Sequence, residues 1–128
     1  MFSRRTLKEE DGQAAAELAL VLMPLLLILL AILQFGILFR DYLALTDAVR
    51  ATAREAAVSR HASPPEASAL ARFAESTKDL EGATVEIDTS WEPAAPVEVE
   101  GRVEFKISLL GLVFKEGELV STTTERVE

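Results

Sequence analysis

Residues 12–39 read GQAAAELALVLMPLLLILLAILQFGILF, and this stretch decides the fold. From Leu18 to Phe39 no residue carries a formal charge, and only Gln34 is strongly polar. Those 22 positions, rising about 1.5 Å each as a helix, span roughly 33 Å, close to the hydrocarbon thickness of a bilayer. A small soluble domain has no core thick enough to need such a run. The chain reads as a charged leader (1–12), one transmembrane helix (13–39) and a soluble domain behind it (40–128).

Averages hide this division. The 128 residues are 49% hydrophobic and 27% charged, ordinary values that merge a greasy segment with an acidic one. The net charge is −8; Arg4, Arg5 and Lys8 offset Glu9, Glu10 and Asp11, so removing the leader leaves it unchanged. An acidic head argues against a nucleic-acid partner, because the phosphate interaction that dominates such binding would be repulsive. Without cysteine there is no disulfide and no thiolate zinc site. One histidine, no glycine-rich phosphate loop and no metal-ligand spacing lead us to expect no enzyme, no cofactor and no metal.

The basic start also fits the n-region of a secretory signal. The apolar block is longer than a signal's, however, and no small-x-small site follows it before Arg40 and Asp41. A retained span is the stronger reading. Lysine and arginine counts leave orientation tied, with Arg4, Arg5 and Lys8 before the span and Arg40, Arg50 and Arg54 after it. The long acidic domain, in which no cytosolic chemistry is visible, turns the expectation to N-terminus inside and C-terminus outside.

Helical character continues past the span. From Arg40 to Arg60 there is no proline or glycine, and Leu45, Val49, Ala53 and Ala56/Ala57 form an i, i+4 stripe. One helix is expected from about 13 to 60, roughly 70 Å long, with Pro24 bending or loosening it. Ser63–Pro64–Pro65 ends it, and Ser63 is read as the cap of a second helix over 65–78 that buries Ala69, Leu70, Phe73 and Ala74. After Gly82 the period changes to two. Strands are expected at about 83–91, 97–107 and 118–127, with a loop at 92–96 and a connection at 109–116. In the second strand Val97, Val99, Gly101, Val103, Phe105 and Ile107 face one way, opposite Glu98, Glu100, Arg102, Glu104 and Lys106. The inward face of the third strand stays open. The fold class is α+β: a long N-terminal helix, half transmembrane and half soluble, a second short helix, and a small three-stranded antiparallel sheet.

Gly12, three alanines after Gln13, and then Glu17 have the shape of a prepilin processing site, with a short charged leader before it and an apolar run after it. Cleavage after Gly12 would free the α-amino group of Gln13, with an unperturbed pKa near 8. Among packed helices that cation needs a counter-charge, and Glu17 of the same or a neighbouring subunit can supply it. The plainer reading makes Glu17 an interfacial carboxylate near a helix N-terminus. Intramembrane carboxylates are usually functional, which favours the first. Pro24, Gln34 and Gly36 are candidates for helix–helix packing, Gly36 by admitting a close neighbour and Gln34 by hydrogen bonding. A tolerated polar residue near the outer interface is an equal reading for Gln34. His61 reads as a surface residue, Trp91 as a plug of the core or of its membrane-proximal edge, and Glu98, Glu100 and Glu104 as a solvated face.

From Gly12 to Ala57 the text GQAAAELALVLMPLLLILLAILQFGILFRDYLALTDAVRATAREAA resembles the TadE-like proteins of tight-adherence (Flp) pilus systems. It departs from that pattern at Leu18, where an aromatic often stands, at Gln34, where an acid is frequent, and at Pro24, one place late. The resemblance implies a minor pseudopilin-like subunit that helps assemble a pilus at the cytoplasmic membrane. Its partners would be membrane lipid, other pilin or pseudopilin subunits, inner-membrane platform proteins and a prepilin peptidase. The alternative is a permanently anchored single-pass accessory protein, unprocessed and outside any filament, that binds an envelope partner.

Overall fold

The computed structural model describes residues 3–109 and 111–128, with side chains from Gly12 onward. Met1 and Phe2 of the expected leader lie outside the described residues. Helix α1 runs from Ser3 to Val58 and passes into a 3-10 turn, Ser59–His61. It starts well before the expected 13, because residues 4–11 contain no proline or glycine and consist largely of residues a helix tolerates. Pro24 lies inside α1 without ending it.

Two compact units divide the chain, Met1–Gly36 and Ile37–Glu128. In the first, α1 is long and apolar enough to cross a membrane, and none of its most apolar window is buried inside the protein. A helix from the core of a soluble protein would be covered. Here the consecutive Leu20, Val21, Leu22 and Met23 all stand open, so the helix is exposed on every side, the pattern of a segment whose solvent is lipid.

The second unit combines the rest of α1 with helix α2, Pro65–Ser76, and strands β1, Thr84–Asp88, β2, Pro96–Leu109, and β3, Leu112–Arg126. The sheet is antiparallel throughout, in the order β1-β2-β3. Its covered face meets the expected stripe of α1: Leu45, Val49, Ala53, Ala56 and Ala57 are buried, together with Ala48 and Thr52. Thr52 is accommodated because its hydroxyl donates to the Ala48 carbonyl at 2.8 Å. Opposite lie Val97, Val99 and Val103 of β2, with Val127 beyond β3. Each fully buried valine or leucine contributes roughly 1.5–3 kcal/mol, so this layer holds the unit together.

The closest approach is at Gly101. A Cβ there would lie 2.5 Å from Val49 Cγ2 and 3.1 Å from Leu45 Cδ1, so the helix sits directly on bare backbone. Where β2 begins, a turn and the C-terminal residues form a clasp. The Ala95 amide donates to the Glu92 carbonyl at 3.0 Å, with Pro93 and Ala94 at the corners and Ala94 at φ 63°. The Ala94 amide donates to the Val127 carbonyl, the Val127 amide to Ala95, and the Glu128 amide to Ala57 of α1.

Several expectations need correction. α2 ends at Ser76 rather than 78, and it buries Ala69 and Phe73 while Leu70 and Ala74 are exposed. The helix phase places 69, 73 and the following Thr77 on one side, and 70 and 74 lie about 100° around. Pro64, not Ser63, occupies the capping position, and no side chain caps the helix. β1 stops at Asp88; Trp91 follows in the loop at φ 57°, half-buried against the core as one of its expected roles required. The largest difference is at 109–116. It is no connection: Leu109 pairs directly with Leu112, and β2 and β3 form one long hairpin with a register shift beside Ile107/Ser108. The open question about the last strand is answered by Leu119, Ser121 and Thr123, which face inward with Val127.

Three substitutions probe this layer. Val103→Asp buries an unpaired charge and should cost several kcal/mol, whereas Glu104→Ala on the wet face should stay within about 0.5 kcal/mol of the parent. Gly101→Val should behave like the first, because Val49 and Leu45 have no room to give. Protease resistance and thermal unfolding of the three variants check both the register and the close approach; equal behaviour of Val103→Asp and Glu104→Ala would contradict the register.

Candidate functional site

Gly12, Gln13 and Glu17 occupy a little over one turn of α1, where the charged N-terminal residues meet the apolar run. Gln13 and Glu17 are one turn apart and touch: Gln13 Nε2 donates to Glu17 Oε1 at 3.1 Å, both side chains being exposed. The Gln13 side-chain amide is thus within reach of the Glu17 carboxylate by helix geometry alone.

Gly12 has no structural reason to be glycine. Its φ is not positive, and nothing lies within 4 Å of where a Cβ would stand. A glycine inside a helix costs about 0.8–1 kcal/mol relative to alanine. The local fold therefore bears this cost without needing the residue.

The other candidates are spread along the same helix and converge on no pocket. Pro24 is seven residues beyond Glu17 and shares its face. Gln34 is half-buried, while Gly36 is open, with nothing within 4 Å of where a Cβ would stand. Two residues apart on a helix, they face about 200° apart. Any neighbours they engage approach from different sides.

On the outer face of the sheet Glu98 and Glu104 are exposed as expected, while Glu100 is paired. Arg102 Nε donates to Glu100 Oε1 at 2.7 Å, and Arg102 Nη1 lies 3.8 Å from Glu118 on β3. The hydrogen bond and charge of Glu100, followed by Glu118 and Glu86, hold the guanidinium above its ordinary pKa. Lys106 and Glu116 approach to 3.6 Å across the same two strands. The signal was present in Glu100 and Arg102, two places apart on one strand face; the partner on β3 needed the register. Among the described residues no group of three or more histidine, aspartate or glutamate side chains could hold a metal ion. His61 is exposed and accepts a hydrogen bond from Arg60 Nε at 2.9 Å.

With this geometry in hand, the comparisons with known proteins are specific. Residues 12–54, about a third of the chain, match the family model described as TadE-like protein, and over that stretch the chain is similar to the family. No match was found among curated proteins, nor among solved structures. That family is one of tight-adherence pilus assembly. Together with the long apolar helix it points to membrane anchoring.

The open surroundings of Gly12 carry an expectation of their own. Gly12→Ala should leave α1 intact and slow amide exchange around residues 9–16 in detergent micelles, by an amount matching up to about 1 kcal/mol. Faster exchange in the variant would reveal a local demand for glycine.

Proposed function

We propose that the chain is a minor pseudopilin-like subunit, cleaved after Gly12 and inserted with its leader inside and its α+β head outside the cytoplasmic membrane. The observation that carries this is a glycine without structural need, set at the mouth of the apolar run, five residues before a carboxylate. A peptidase that must approach the backbone closely gives that glycine its reason. Cleavage converts the amide nitrogen of Gln13 into an ammonium, and Glu17 neutralises it when helices pack in lipid. The pairing offsets a desolvation penalty of several kcal/mol per ion. Pro24 and Gly36 then serve packing against other pilus subunits or platform helices.

One observation favours a second reading, the permanently anchored accessory protein. α1 runs unbroken through Gly12 and Gln13, so the scissile bond lies inside a helix that a peptidase would first have to unwind.

Three variants separate these readings in piliated cells. Gly12→Val should persist at full length, because a branched side chain blocks access to the bond. Glu17→Ala should still be cleaved but fail to assemble, and Glu17→Asp should fall between, its carboxylate about one methylene shorter in reach. Intact mass of the membrane-fraction protein is the readout; wild-type protein that keeps residues 1–12 refutes processing and leaves the accessory reading. For topology, Ser90→Cys and Thr124→Cys, both at exposed positions, should react with an impermeant thiol reagent on intact spheroplasts. Labelling only after lysis would reverse the orientation.

A further inference from the structure

The β2–β3 hairpin extends well past β1, whose last partner on this side is Arg102. Between Lys106 and Lys115 the hairpin carries no charged residue, and its end is apolar: Leu109, Leu112, Val113 and Phe114. Leu109 is half-buried, but among the described residues nothing covers the other three. Leu112 is 67% exposed, Val113 54% and Phe114 66%. In water a patch of this kind is a liability, and it marks a surface with a partner.

The bulge shapes this tip. Lys115 pairs with Ile107 but Val113 pairs with Ser108, leaving Phe114 as the extra residue. Leu112 therefore shares a face with Leu109, while Val113 lies on the other face. Apolar side chains consequently point to both sides of the ribbon, which suits insertion into an apolar medium better than docking against one protein surface.

The direction of the hairpin follows from contacts within the second unit. At one end of the sheet Glu128 bonds to Ala57, near the C-terminus of α1; at Gly101 the strand lies under Val49 and Leu45. From Val97 to Leu109, β2 thus travels back along α1, toward Ile37, where the helix enters the unit. Eight strand residues beyond Gly101 cover about 26 Å, and twelve helix residues from Val49 back to Ile37 about 18 Å. The tip has the length to come level with that entry point.

We propose that the hairpin tip, Leu109 with Leu112–Phe114, is a second membrane contact that dips into the interface of the bilayer crossed by the apolar run. The occupant is lipid because the span is joined covalently to this unit, which keeps a bilayer always at hand. Of the three lysines after the span, Lys78, Lys106 and Lys115, two frame the tip. Long cationic side chains at that position reach lipid headgroups while their stems lie along apolar surface. This rests on the membrane-anchored reading and not on cleavage after Gly12.

The chain lacks cysteine, so single nitroxide labels can be placed in the full-length protein in phosphatidylcholine nanodiscs. Labels at Leu112→Cys and Phe114→Cys should collide more often with oxygen than with a water-soluble nickel chelate, as a label at Leu26→Cys should. A label at Glu98→Cys, on the opposite end of β2, should show the reverse, with a severalfold difference in ratio. Water-like values at 112 and 114 with a lipid-like value at 26 overturn the proposal while the anchor stands. A water-like value at 26 overturns the anchor itself. Labels at 112 and 114 shielded from both reagents overturn it in favour of a second copy of the chain covering the tip.

Discussion

The second unit depends on the approach of α1 to bare backbone at Gly101. Any side chain there would meet Val49 and Leu45, so a single hydrogen in place of a Cβ sets the spacing between helix and sheet. Small residues complete the fit. Ala48, Ala53, Ala56 and Ala57 let the helix lie low along the sheet, and the larger Leu45 and Val49 fill the space beside Val99 and Val103. A head this small has a marginal core of its own. It becomes adequate by taking one of its two helical layers from the helix that also carries the apolar run.

α1 therefore obeys two sets of rules. From Leu18 to Phe39 it is apolar on all sides, as lipid requires; beyond Arg40 it has one buried stripe and charged remaining faces, as a protein core in water requires. The TadE-like match covers 12–54 and ends inside this helix. It thus speaks for the span, the Gly12–Glu17 edge and the first part of the buried stripe, and not for the sheet. The α+β head, with its ion pairs on one face and its apolar hairpin tip, is where this chain's own interactions are built.

The Gly12–Glu17 edge and the hairpin tip place different demands on the protein. The proposed processing at the edge rests on single residues of one helix: a glycine the fold does not need, and a carboxylate that the Gln13 side chain reaches. The proposed contact at the tip rests on an arrangement, since Leu109 and Leu112 become neighbours only through the hairpin. A motif can be read from spacing on one helix, because the i, i+4 relation is local. A surface made by two strands depends on their register.

The sequence by itself determined the span, the buried stripe of α1, the α+β class and the alternating faces of β2, because each follows from local periodicity against one kind of solvent. It also singled out Gly12 and Glu17 as candidates, although only the structure showed that Gly12 answers no local need. Tertiary structure decided the rest. The stretch 112–116 has no period-two pattern because it is exposed on both faces among the described residues, so neither face was constrained to be apolar, and it reads as a loop while being strand. The inward face of β3 was hidden in the same way: Ser121 and Thr123 are turned inward by pairing with Gly101 and Val99, not by their own hydrophobicity. Local pattern records burial, and where burial is set by a partner far along the chain, only the assembled fold reveals it.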